Sequence, residues 1–195
     1  MKKKVSLLLC LALTAAFVFC ACAAPGDSGK KGVHSVETEA GQLPENVNSL
    51  TEEQVSTLLD KAYATLGEET LPPMVMHMPL DLSDGDMVAF AAGLTDVSGV
   101  DGVILSESGI SSVAYSLVYV RVAEGADSDA IQKAVLEGVN PAKWICVCAD
   151  KVLSVKLGTD VLVVMGSEGR AEAVLNAVTE TAKGVFTTIG ETVEK

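Results

Sequence analysis

Three methionines alternate with other residues in the segment Met74-Val75-Met76-His77-Met78. In a β-strand, Met74, Met76 and Met78 would lie on one face, while Val75 and His77 would lie on the other. Thioether sulfurs are soft ligands that suit Cu(I), so the methionine face is a candidate copper site. The alternative is that three flexible side chains fill an irregular core. We expect no bound cofactor, with copper at these methionines as the alternative.

Two further soft donors, Cys146 and Cys148, lie in a segment that reads as a strand over Trp144–Ala149. In a strand both thiols would point to one face, with their Cα atoms about 6.6 Å apart. That separation is near the upper limit for a disulfide, so we expect two buried free thiols. They could join the methionines if the two strands were neighbours.

Other patterns that carry chemistry are incomplete. Counted from Asp81 as an EF-hand loop, the sixth position is Asp86 instead of glycine and the twelfth is Ala92 instead of glutamate. The Gly166–Gly169 segment places Ser167 between glycines but lacks the five residues of a nucleophile elbow. Phosphate-binding and dinucleotide-binding motifs are missing as well. The sequence therefore predicts no catalytic residue, and an unrecognised envelope enzyme stays as an alternative.

The first 21 residues have the form of an export signal. Lys2, Lys3 and Lys4 precede an apolar run from Val5 to about Cys20. The residues Phe19-Cys20-Ala21-Cys22 resemble a bacterial lipobox, in which the last cysteine receives a diacylglyceryl group and becomes the mature N-terminus. The alternative is an ordinary secretory cut after Ala21-Cys22-Ala23. We expect lipidation of Cys22, because two or three acyl chains hold a protein stably on a bilayer.

The net charge of the chain limits the classes of partner that we expect it to bind. Cleavage before Cys22 removes three lysines and no acidic residue, so the formal charge goes from −12 to −15. A surface this acidic argues against binding to nucleic acid and against electrostatic docking on anionic lipid. We expect the membrane as a partner only through the lipid anchor, and the sequence leaves any protein or small-molecule partner open.

Glycine, proline and helix-capping residues indicate how the chain is divided. Residues 22–50 read as the lipidated N-terminus and a flexible tether, because glycine and proline interrupt a polar run. A single domain then spans residues 51–195. It starts at a capping box, Thr51-Glu52-Glu53-Gln54, which begins a helix with apolar residues at helical spacing.

The rest of the domain alternates between strand and helix patterns. Further helices are predicted from Ser83–Asp86, over Ser128–Glu137 and over Glu168–Lys183, and the second of the four helices should turn Met87, Phe90, Ala91 and Leu94 inward. The predicted strands are 74–78, 101–106, 112–122, 144–149, 152–157 and 161–165. Hairpins between helices predict an α+β fold: an antiparallel-rich sheet of about five or six strands with helices packed on one face.

From about Thr51 to Val185 this order of parts resembles a family of small bacterial lipoproteins, the domain of unknown function 4358 family. The resemblance lies in the lipobox leader, the tether, the Val113–Val122 strand, and the helix that follows Asp127 and Asp129. It lies also in the Gly158–Val164 turn and strand before the last helix. The resemblance implies a membrane-anchored extracytoplasmic domain and supplies no catalytic residue.

Taken together, these features predict a lipoprotein held on the extracytoplasmic face of the cell membrane. We expect its domain to be a non-catalytic binding or accessory domain of the cell envelope. The first alternative is a copper-binding lipoprotein that uses Met74, Met76 and Met78.

Overall fold

An antiparallel sheet forms the centre of the molecule. The structure is a computed structural model that describes residues 41–195. Six strands pair in the order β1-β2-β3-β5-β4-β6. The predicted α+β class and the predicted antiparallel sheet are confirmed. The elements in chain order are α1 (Glu52–Tyr63), β1 (Val75–Leu80), α2 (Gly85–Ala92), β2 (Val100–Ser108), β3 (Tyr115–Val122), α3 (Ser128–Gly138), β4 (Lys151–Leu157), β5 (Asp160–Gly166), α4 (Glu168–Ala182) and β6 (Val193–Glu194).

Both faces of this sheet are covered, whereas the sequence predicted helices on one face only. On β3, Tyr115, Leu117 and Tyr119 join the core under α1 and α4. Val118 and Val120 join a second core under α2 and α3. Every residue of β5 is buried, which fits a central strand with a core on each side. The continuous apolar pattern of β5 indicated a central strand, but it could not show how the helices divide between the faces.

Local chemistry explains where the helices begin. The predicted capping box forms, since Gln54 N donates to Thr51 Oγ1 and Thr51 N donates to Gln54 Oε1. The carboxylate of Asp84 caps α2 by accepting from Met87 N. In α2 the structure buries Val88, Ala91 and Ala92. Met87 and Phe90, predicted to face the core, are exposed.

Residues 43–50 belong to the folded unit, although the sequence placed them in the tether. Leu50 is buried, and Val47 forms a parallel bridge with Phe186. Val47 N donates to Val185 O at 2.8 Å, and Thr187 N donates to Val47 O at 2.9 Å. The segment was missed because its few apolar residues follow no helical or strand period.

The predicted strand over 144–149 is a loop. It lies between α3 and β4, and the free side of β4 pairs instead with the short strand β6, where Leu153 lies opposite Glu194. The prediction was wrong because an apolar run satisfies a strand pattern without showing whether a neighbouring strand has free hydrogen-bonding groups. Strand β6 was not predicted, since two residues give no periodic signal.

Candidate functional site

Cys22, the predicted lipidation site, lies outside the described residues, together with the leader and most of the tether. Within residues 41–195, no helix has the length and apolar character needed to cross a membrane. The remaining candidate residues, the methionines and the two later cysteines, all lie in the described part of the chain.

The methionine edge, formed by Met74, Met76 and Met78, is on the surface. Their side chains are 71%, 53% and 38% exposed, so they are not core fillers. The strand begins only at Val75, since Met74 precedes it with a φ of +49°. Met76 and Met78 therefore share one face of the strand, as predicted, whereas Met74 lies just before the strand begins.

His77 points to the opposite face, as alternation along the strand predicted. Its ring stacks on Tyr63 with the ring centroids 5.7 Å apart, and its Nε2 lies 3.2 Å from Asp60 Oδ1. The Tyr63 hydroxyl hydrogen-bonds Tyr115 at 2.6 Å and Ser106 at 2.8 Å. Burial raises the pKa of Tyr63 to about 12. The Tyr63, Tyr115 and Ser106 hydroxyls satisfy one another inside the core, so this hydroxyl cluster is structural, whereas His77 Nδ1 is buried without a hydrogen-bond partner among residues 41–195.

Cys146 and Cys148 are both exposed free thiols, which corrects the prediction that they are buried. They lie near the tip of a loop of residues 141–149, which we name the thiol loop. Ala149 N donates to Pro141 O at 2.8 Å and closes its base. Ile145, just before the first cysteine, is 98% exposed. The backbone bends at residues 144–146.

A buried lysine fixes the thiol loop to the sheet. The side chain of Lys143 is 1% exposed, and its Nζ lies 3.0 Å from Glu107 Oε1. The same Nζ donates to Ser116 Oγ at 3.1 Å. It also lies over two aromatic rings, 5.6 Å from the Phe90 centroid and 5.2 Å from the Trp144 centroid. Such cation–π contacts strengthen when the cation is removed from water.

The thiol loop and the methionine edge lie on the same side of the sheet. Met76 pairs with Glu107, and Glu107 pairs with Ser116 on the next strand. Directly paired residues of antiparallel strands share a face, so Met76 is a neighbour of the Glu107–Lys143 ion pair. Two sets of soft donors are thus presented on one side of the molecule, with Lys143 between them.

Trp144 forms the border between the thiol loop and the core. It is half-buried and packs against the core under α2 and α3. Phe90, on α2 and 57% exposed, also lies close to Lys143, with its ring centroid 5.6 Å from Nζ. Two aromatic side chains therefore lie at the base of the thiol loop, against Lys143, and one of them, Trp144, also packs on the core.

A polar cleft of about 400 Å³ lies at the residue 48–54 segment, away from these donors. Arg121 lines it, but its Nε donates to Leu50 O at 2.7 Å and thus helps to close the fold. Among residues 41–195, no set of three or more His, Cys, Asp and Glu side chains is arranged to hold a metal ion. The thiol loop and the methionine edge, which use sulfur donors, are the remaining candidates.

Comparison of the chain with protein-family models, curated proteins and solved structures gave no match. We therefore infer the function from the chemistry of the chain itself. Sequence reasoning found both sulfur sets but missed that Cys146 and Cys148 are exposed. Asn140-Pro141, just before the apolar run, is a turn signal that could have indicated a loop.

Proposed function

We propose that the chain is a lipoprotein, acylated at Cys22 and held on the extracytoplasmic face of the cell membrane. The basic start, the apolar run and the lipobox-like residues support this proposal. Its domain is a non-catalytic binding or accessory module, and the thiol loop is the surface that meets a partner protein. We infer this role from the resemblance to membrane-anchored extracytoplasmic lipoproteins and from the loop itself.

One observation carries the assignment of the surface. Ile145 exposes 98% of its surface on a loop that a buried ion pair, a half-buried tryptophan and a backbone hydrogen bond hold in place. Large apolar side chains at the core of protein interfaces are surrounded by groups that exclude water. Phe90 and Trp144, which lie against Lys143 at the base of the loop, add aromatic surface beside it.

The anchor is tested by Cys22→Ala in cells grown with a fatty-acid probe. We expect loss of labelling and release of the protein to the soluble fraction. Cys20→Ala is the matched control, because it changes a leader cysteine and leaves the residue to be acylated. Labelling and membrane retention of the Cys22 variant would refute the anchor.

The binding role is tested by native mass spectrometry of the lipoprotein, purified from its membrane in mild detergent. We expect the lipidated chain together with a second protein. Ile145→Ser should remove that protein, whereas Leu71→Ser, an exposed apolar residue between α1 and β1, should retain it. A partner that persists in the Ile145 variant would place the interface elsewhere.

A second candidate function is the binding of Cu(I) at the methionine edge. The exposure of all three side chains favours it, since thioethers that only fill a core would be buried. We propose to titrate Cu(I) against a chromogenic chelator, with Cys146 and Cys148 both replaced by serine. Met76→Leu with Met78→Leu should weaken binding at least tenfold, and the exposed Met87→Leu should not. Equal binding by both variants would exclude the methionine edge as the site.

A further inference from the structure

We propose that Cys146 and Cys148 form a reversible disulfide that exchanges with the cysteines of a partner protein. The proposal rests on the proposed function only in taking the thiol loop as the surface that meets a partner. Both thiols are exposed, and a single residue separates them. They are the only cysteines among residues 41–195. No other sulfur in this part of the chain can therefore compete for an internal disulfide.

The loop conformation allows Cys146 and Cys148 to approach each other closely enough for a disulfide. A regular strand would hold the two Cα atoms about 6.6 Å apart, close to the upper limit of about 6.8 Å for a disulfide. The structure places Cys146 at the end of a bend, Cys148 two residues later, and both outside the sheet. Small changes of backbone angle can therefore shorten the distance without breaking a strand pairing.

The contacts around the thiol loop allow the conformation of its tip to change while its base stays fixed. Lys143 is held by Glu107 and Ser116, and Ala149 N is held by Pro141 O. Between these anchors Ile145, Cys146 and Cys148 are exposed and Val147 is half-buried. The reduced and oxidised forms can thus differ at the tip alone, which a reversible switch requires.

A disulfide here would contribute little to stability. The stabilisation that a cross-link gives by restricting the unfolded chain increases with the length of the loop that it closes. A bridge across one residue closes almost the shortest possible loop. Strained or exposed disulfides have oxidising potentials and are the labile ones, so the pair fits exchange chemistry better than a structural role.

The reaction is a thiol–disulfide exchange. The thiolate of one loop cysteine attacks a sulfur of the partner's disulfide, a mixed disulfide forms, and the partner's other sulfur leaves as a thiolate that takes up a proton. The second loop cysteine, as its thiolate, attacks the mixed disulfide and releases the partner's remaining thiol. The pair loses two electrons and becomes a disulfide, while the partner's disulfide gains them and becomes two thiols.

Exposed aromatic and aliphatic side chains support a protein as the partner. Ile145 precedes the pair directly, and Phe90 flanks the base of the loop. Apolar contacts of this kind hold a polypeptide near the sulfurs, whereas a small thiol would not need them. Substitution of Ile145 should therefore reduce exchange with a protein more than exchange with glutathione.

The test uses the full lipoprotein in detergent, reduced, freed of reductant and mixed with glutathione disulfide. Wild type should release two glutathione molecules per chain and form the Cys146–Cys148 disulfide, assigned by alkylation and peptide mass spectrometry. Cys146→Ser and Cys148→Ser should each release one and keep glutathione attached to the remaining loop cysteine. Peptide mapping separates any reaction at Cys22 from reaction in the loop.

The outcomes are distinct. Free loop thiols throughout, or wild type that holds glutathione on both cysteines without an internal disulfide, would overturn the proposal. Leu71→Ser, which leaves the thiol loop untouched, should match wild type with glutathione. Normal exchange with no bound partner would refute the binding role alone, and a bound partner without an internal disulfide would refute the exchange alone.

Discussion

Asp160 at the start of β5 joins three parts of the chain through one buried carboxylate. It accepts hydrogen bonds from Ser49 Oγ and Leu50 N in the segment before α1, and from Tyr119 and Val122 N on β3. Burial raises the pKa of this carboxyl, while the hydrogen bonds act in the opposite direction. A residue that the sequence shows only as part of a hairpin turn thus ties the segment before α1 to the central strands β3 and β5.

Asp160→Asn should destabilise the domain by about 1–3 kcal/mol, because a buried donor that loses its acceptor costs about that much. The new amide group would point a donor at groups that are themselves donors, including backbone N–H groups. Urea unfolding at pH 8 measures the change. Asp101→Asn, at an exposed position of β2, is the control and should stay within about 0.5 kcal/mol. Equal stability of the two variants would contradict the role given to Asp160.

Lys143 is the residue on which the position of the thiol loop depends. Lys143→Met should cost about 1–3 kcal/mol, since it leaves the buried Ser116 hydroxyl unpaired and removes the partner of Glu107. Lys133→Met is the control, because Lys133 is exposed and its Nζ is 3.8 Å from Glu137. Thermal unfolding of both variants gives the comparison. A loss no larger than that of the control would mean that Lys143 does not hold the loop, which would leave Trp144 and the Ala149–Pro141 hydrogen bond to do so.

At the scale of elements, the turn between β4 and β5 requires glycine. Gly158 has a φ of +60°, and a Cβ there would lie 2.2 Å from the carbonyl oxygen of Asn48. That oxygen accepts from Thr159 N at 2.8 Å, so the turn and the segment before α1 are in direct contact. The contact explains why the domain begins before Thr51.

Gly158→Ala should cost more than about 1 kcal/mol, because the backbone conformation is strained for alanine and the added methyl meets another backbone. Gly67→Ala is the matched control, since nothing lies within 4 Å of a Cβ at that position. Denaturant unfolding of both variants tests the contact. Equal stabilities would show that residues 46–50 can move away from the turn at no cost.

The elements differ in how far the sequence could predict them. Helix α1 follows from its capping box and its apolar spacing, which are local. Helix α2 does not, since most of its residues are apolar and several faces could point inward; the structure buries Val88, Ala91 and Ala92. For the thiol loop, apolar content predicted a strand. Exposure there depends on β6 and on Glu107 and Ser116, the partners of Lys143, all of which are distant from the loop in sequence.

For the molecule as a whole, all three tyrosines lie inside the domain. Burial raises the pKa of Tyr63 to about 12, and it raises those of Tyr115 and Tyr119 well above the ordinary value. Folding therefore favours the protonated phenols. Their contribution to stability is complete below the unfolded pKa of about 10 and is lost as the pH rises through the folded values.

Tyrosinate absorbance should thus be absent from the folded protein just above pH 10 and should appear together with alkaline unfolding. In concentrated urea, all three phenols should titrate near pH 10. Ultraviolet absorbance followed in parallel with circular dichroism distinguishes the two transitions. A tyrosine that ionises near pH 10 while the circular dichroism is unchanged would contradict the burial of that residue.

The bridge between Val47 and Phe186 has a consequence for the order of folding. Thr187 and Asn48, which are also bonded, stand 139 residues apart in the chain. Contacts over such distances form slowly, and a ribosome makes the later partner last. The contacts of Val47 and Asn48 therefore cannot form until almost the whole domain has been synthesised. For a chain proposed to act outside the cytoplasm, this late closure would delay completion of the fold until synthesis is nearly over.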